Sequence, residues 1–128
     1  MEALTMGVNW LAVIVGFIAA FGLGWLWYSP ILFYKKWAEG CRIDTNQPVY
    51  PMWQPMLAQV VGTFLLAWVV GITATTDSFI LALLITAAIA VLIKANGLFG
   101  QKSAYAIMVE SGYVLAMVAV MIIAQALF

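Results

Sequence analysis

The chain has no histidine, one cysteine, and only five basic and five acidic residues among 128. Without imidazole there is no Ser-His-Asp triad, no histidine-ligated haem and none of the usual histidine-containing zinc sites. Cys41 alone makes neither an intrachain disulfide nor a thiolate metal cluster. A formal charge of zero offers nothing to a phosphate backbone, which argues against nucleic acid as a partner. A phosphate-cradling glycine loop is missing too: Gly22 and Gly24 form a G-x-G inside an apolar run, without the strand-to-helix context such loops need. Charged residues make up 8% of the chain, against about 25% in water-soluble domains. So few charges do not cover a water-facing surface.

What the sequence does have is apolar length. Hydrophobic residues are 66% of the total, gathered into four runs of roughly 20 residues, the length that crosses a ~30 Å hydrocarbon core as helix. The runs cover 8–28, 53–73, 79–98 and 104–127. The expected fold is therefore an all-α membrane protein: residues 1–128 as a single integral membrane domain with four transmembrane helices. Glu2 is the only charge before the first run, which lacks the basic flank of a signal peptide and reads as a retained helix.

All five basic residues fall on one side of this arrangement, with Lys35, Lys36 and Arg42 in the first connection and Lys94 and Lys102 around the third. Positive charge is retained in the cytoplasm. The expectation is a multi-pass protein of the bacterial cytoplasmic membrane, with loops 29–52 and 99–103 inside, and both termini and the Thr75–Ser78 turn outside. Trp25, Trp27, Tyr28, Trp37, Trp53 and Tyr105 then mark the inner interface, with Trp10 and Trp68 towards the outer one.

Within the long connection, Ser29-Pro30 suits an N-cap and first helical position, which predicts a short interfacial helix over about 30–38. Trp27, Tyr28, Pro30 and Trp37 would anchor it in the headgroup region while Lys35 and Lys36 meet anionic lipid. Farther on, Arg42, Asp44, Asn46 and Gln47 turn the chain polar, and Pro48, Pro51 and Pro55 lead into the second span. Cys41 lies beside the interfacial segment as a plain thiol or a palmitoylation target.

Helices in lipid associate through close backbone approach and interhelical hydrogen bonds. Ala12, Gly16, Ala20 and Gly24 form one small-residue stripe on the first span, and Gly112 with Ala116 forms another on the fourth. These are packing faces, within a protomer or between protomers. Charges inside the membrane are the functional suspects, because each costs at least ~2.5 kcal/mol near the bilayer centre. Lys94 and Glu110 bracket the last turn at similar depth, which leaves two arrangements open. Either they form an ion pair, direct or through Asn96, or Lys94 snorkels to the interface while Glu110 is neutral and hydrogen-bonded. Tyr113 follows Glu110 by three residues, and Gln54, Gln59 and Thr63 of the second span can reach the same region. Glu110, Lys94, Asn96, Tyr113 and Gln59 are the binding or ion-pair candidates. No catalytic residue, metal ligand or cofactor is called for.

The sequence resembles the domain-of-unknown-function 1761 family of small four-span bacterial membrane proteins. The resemblance rests on Asn9-Trp10-Leu11-Ala12, on Trp27-Tyr28-Ser29-Pro30 with Phe33 and Lys36-Trp37, on Asn96, and on Glu110-Ser111-Gly112-Tyr113. Glu110 stands where Asp is the commoner residue of the motif. The resemblance implies the four-helix membrane fold and points to Asn96, Glu110 and Tyr113, without implying an activity.

Three functional expectations follow. The first is a non-catalytic membrane protein, a homo-oligomer or an accessory subunit of a larger membrane complex, with the lipid bilayer as its solvent. The second is a small transporter or channel in which Glu110 binds a proton or cation. The third, an enzyme acting on lipid or quinone, would need a second acid-base group beside Glu110, and only Lys94, Tyr105 or Tyr113 is available.

Overall fold

The computed structural model describes residues 2–29, 31–41 and 53–128. Pro30, Arg42, Asp44, Asn46, Gln47, Pro48 and Pro51 lie outside the described residues, so the expectations placed on them have no structural counterpart below. Six helical segments and no strand occur among the described residues: α1 (Glu2–Thr5), α2 (Trp10–Trp27), α3 (Tyr34–Cys41), α4 (Trp53–Ala74), α5 (Phe79–Phe99) and α6 (Ala104–Leu127). The four long ones have 18 to 24 residues and are long and apolar enough to cross a membrane. Their limits match the expected runs to within two residues, and the chain is an all-α, multi-pass membrane protein. The four-residue α1 was not foreseen.

Local chemistry sets the helix ends. Asn9 caps α2 by accepting from the Ala12 amide at 3.2 Å, and Ser103 caps α6 by accepting from Ala106 at 3.1 Å, each satisfying a donor that lacks an intrahelical partner. The α4–α5 and α5–α6 turns pass through left-handed backbone at Asp77 (φ 53°) and Gln101 (φ 60°). Threonines within the apolar helices bond to their own backbone, Thr86 to Ala82 at 2.7 Å and Thr73 to Val70 at 2.7 Å. In a medium without water this is how a hydroxyl avoids an unsatisfied group.

The expected interfacial helix lies farther along the chain than 30–38. The Ser29 hydroxyl donates to the Leu26 carbonyl at 2.8 Å, so it closes α2 instead of capping α3. Turns follow, in which the amides of Leu32 and Tyr34 both bond to the Ser29 carbonyl, before α3 begins at Tyr34.

α6 is the centre of the bundle, touching α2, α3, α4 and α5. It is the most buried of the long helices and α5 the least. The small-residue stripe of α2 is used inside the protomer. Ala12, Gly16 and Ala20 are buried, and a Cβ on Gly16 would stand 3.3 Å from the Met121 backbone. Gly112 sits against Trp27, its added Cβ 3.4 Å from the indole, and Ala116 is half-buried. On the other flank, Phe17 meets Phe64 edge-on at 5.7 Å and Gly71 takes the Val13 side chain, 2.6 Å from an added Cβ. α5 joins through Ala82, Thr86 and Gly97.

Aromatic residues collect at the two ends of the bundle. Trp10 and Trp68 lie 5.5 Å apart at the end carrying the α4–α5 turn, where Trp68 also donates to the Leu4 carbonyl at 2.7 Å and ties α1 down. At the opposite end α3 folds onto the start of α6, with the Ser103 amide bonded to the Gly40 carbonyl at 3.0 Å and Ala38 buried.

Candidate functional site

At the α3 end, α2, α3, α4 and α6 line an open cavity of about 640 Å³. Glu110 and Tyr113 reach it from α6, Gln59 from α4, Tyr28 from the end of α2, and Tyr34 and Trp37 from α3. Six of its lining residues are aromatic, and Glu110 is the one ionisable carboxylate among them. Three of the five candidates from the sequence, Gln59, Glu110 and Tyr113, therefore converge. Lys94 and Asn96 do not.

The expected Lys94–Glu110 pair is replaced by a pair with Lys102. The Lys102 ammonium donates to both carboxylate oxygens of Glu110, at 2.9 and 3.1 Å, with side chains that are 33% and 23% exposed. Lys102 directly precedes Ser103, the cap of α6, so its side chain can lie over the first turns of the helix that carries Glu110. α5 instead faces α6 with Ala82, Thr86 and Gly97 and with the partly buried Ile89 and Ile93. Lys94 and Asn96 are left on its exposed side.

The Cys41 thiol also donates to Glu110, at 3.9 Å. Burial pushes this thiol above its ordinary pKa, and the Glu110 charge adds to the rise while Lys102 opposes it. Fewer thiolates follow, because burial and a neighbouring negative charge both disfavour the ionised form.

Tyr113 is buried, and its phenol donates to the Ala20 carbonyl at 3.0 Å. Gly24 makes room for it, since a Cβ there would run into the phenolic oxygen. Gln59, which lines the same cavity, donates to Thr63 at 3.0 Å. Tyr28 packs edge-on against Trp37 at 4.9 Å and 67° and against Tyr113 at 5.4 Å and 80°. The Trp37 indole N–H is buried and has no acceptor among the described residues.

The anchor residues divide. Lys35 and Lys36 are exposed, with the Lys36 ammonium 5.4 Å from the Tyr105 ring centre. Trp27, expected at the lipid interface, is instead built into the bundle. Its indole donates to the Val109 carbonyl at 3.0 Å and it packs on Phe33 at 5.0 Å and Tyr113 at 6.1 Å. Tyr28 and Trp37 wall the cavity. Sequence reasoning missed Lys102 and Tyr34. The signal for Lys102 was its place beside the Ser103 cap; Tyr34 had no signal beyond its nearness to Trp37.

Among the described residues no group of three or more metal-ligating side chains occurs. The arrangement is chemically a ring-walled cleft with one carboxylate and hydrogen-bonded side chains in its lining, beside a buried indole donor.

In comparison with known proteins, the family described as "Protein of unknown function (DUF1761)" matches residues 11–125. No curated protein and no solved structure matches.

Proposed function

This chain belongs to the DUF1761 family, and from the cavity at the α3 end we propose that it is a non-catalytic, ligand-binding protein of the bacterial cytoplasmic membrane. The observation that carries this reading is the convergence of Gln59, Glu110 and Tyr113 on one cavity of about 640 Å³, within the range of small-molecule sites. Its groups suit holding better than reacting. Glu110 is engaged by Lys102 through both oxygens, and the Tyr113 proton is directed to a backbone carbonyl, so neither is a free acid or base.

In this reading α3 and the α5–α6 turn face the cytoplasm, because Lys35, Lys36, Lys94 and Lys102 stand at that end. Both termini and the α4–α5 turn are outside. The protein works as a homo-oligomer or as an accessory subunit of a membrane complex. Its contacts with other chains would use the outward sides of the bundle, α5 above all, since the small-residue stripe of α2 is occupied by α6. A second reading, a transporter or channel using Glu110 as its proton- or cation-binding group, draws support from the place of Glu110 on the cavity wall. It requires the Lys102 pair to open during each cycle.

Native mass spectrometry of protein released from gentle detergent tests the reading, with wild type compared to Gln59→Trp, which fills the cavity. The expected result is a small-molecule or lipid adduct retained by wild type and lost in the variant. Identical spectra of bare chains, or adducts equally abundant in both, would remove the cavity as a binding site. The same spectra give the subunit number.

A further inference from the structure

We propose that the cavity selects lipophilic organic cations of the quaternary ammonium or phosphonium type. The inference rests on the reading of the cavity as a ligand site and assigns that ligand its charge and shape. Tyr28, Tyr34, Trp37 and Tyr113 line the cavity together, in ring planes that differ in direction. Here Tyr28 stands at 67° to Trp37 and at 80° to Tyr113, and Tyr34 lies 6.1 Å from Trp37 at 42°. Such ring linings hold cations that cannot donate hydrogen bonds, because the negative ring faces replace lost hydration without needing an N–H.

Charge points the same way. Glu110 lines the cavity, whereas its partner Lys102 does not, so an occupant meets the carboxylate and the rings but no cation of the wall. The lining otherwise is mainly apolar, which suits a cation carrying hydrocarbon substituents. Lys102 then acts as the resident counter-ion: it keeps Glu110 neutralised when the cavity is empty and competes with any cation that enters.

That competition gives the test its sign. Tetraphenylphosphonium, tetraphenylborate and triphenylphosphine oxide have similar bulk and differ in charge. Binding of each to detergent-solubilised full-length protein would be measured by isothermal titration calorimetry at pH 7.5. Tetraphenylphosphonium should bind at least tenfold tighter than the other two. Glu110→Gln should weaken it roughly tenfold, and Lys102→Gln, by freeing the carboxylate, should tighten it by about threefold. Tyr34→Leu removes a wall ring without touching the ion pair and should weaken it roughly fivefold, which keeps the test alive if Glu110→Gln does not fold. Weaker binding in Lys102→Gln, or equal binding of tetraphenylborate, overturns the proposal. Preferential binding of triphenylphosphine oxide that is lost in Trp37→Phe would do so as well, making the site one for neutral acceptors held by the indole N–H, and would leave the ligand-binding reading standing. No binding by any probe, together with bare chains in native mass spectra, removes both.

Discussion

Neutralising Lys102 and neutralising Lys94 should have unequal consequences, although the two lysines flank the same turn. Lys102 meets both oxygens of Glu110 at 2.9 and 3.1 Å, with a third or less of either side chain exposed. A pair open to water contributes about 0.2–1 kcal/mol, and breaking a fully buried one costs about 3–5 kcal/mol. Partial exposure at this site screens the pair, and its two-pronged geometry strengthens it, which places the coupling at about 1.5–2 kcal/mol. Lys102→Gln leaves a carboxylate with only a thiol donor, and Glu110→Gln leaves an ammonium beside an amide, so each should destabilise by about 2 kcal/mol. The double variant should cost hardly more than either single change, since the second substitution removes a charge already orphaned. Lys94→Gln, on an exposed face, should stay within about 0.5 kcal/mol. The assay is equilibrium unfolding in mixed dodecyl sulfate and dodecyl maltoside micelles, followed by tryptophan fluorescence and far-ultraviolet circular dichroism. A coupling below about 0.5 kcal/mol, or a Lys94→Gln cost above that of Lys102→Gln, would refute the assignment of the pair.

The Cys41 thiol, raised above its ordinary pKa by burial and by Glu110, should react slowly with maleimide at pH 7.5 and speed up only as pH rises past the free-thiol range. Removing the Glu110 charge should accelerate alkylation about fivefold and Lys102→Gln should slow it, as expected for opposite charges near a thiolate; an unchanged rate in both would contradict the geometry. Gly24→Ala drives a methyl group into the Tyr113 phenol and should cost about 1–3 kcal/mol, most of it recovered when Tyr113→Phe removes the oxygen. Gly97→Val should loosen the α5–α6 contact by a similar amount, because even a first Cβ there would stand 2.5 Å from the Ile107 side chain, and the loss would appear in the same unfolding assay.

The four spans were legible because a bilayer sets their length and composition together: a helix of 18 to 24 apolar residues has few other places to go. Rotation about the helix axis was not legible. On a helix that is apolar all round, no polar stripe marks the inward face, so nothing in the sequence told that α5 turns Ile93 towards its neighbours and Lys94 away. The same blindness made Trp27 look like a lipid anchor, when its indole closes on the Val109 carbonyl. Ser29 was misread for another reason. Ser-Pro is an apt helix start, but the hydroxyl had a nearer acceptor in the turn just completed, and the local competition went to α2. Gln59, Glu110 and Tyr113, singled out in the sequence because polar groups in an apolar medium must find one another, line one cavity. Its ring lining depends on how α3 folds back, and no spacing in the sequence encodes that.

Because α6 holds the other helices together and is made after them, this bundle is assembled around a part that arrives last. During synthesis the chain emerges from its N-terminal side, so α2, α4 and α5 enter the bilayer before the helix they lean on. For that interval the Ala12, Gly16 and Ala20 face has only lipid beside it, open to any small-residue helix passing by. A ribosome pausing before residue 104 would leave a three-helix intermediate with its adhesive side bare, and the membrane insertion machinery is the place where that side would need a temporary cover.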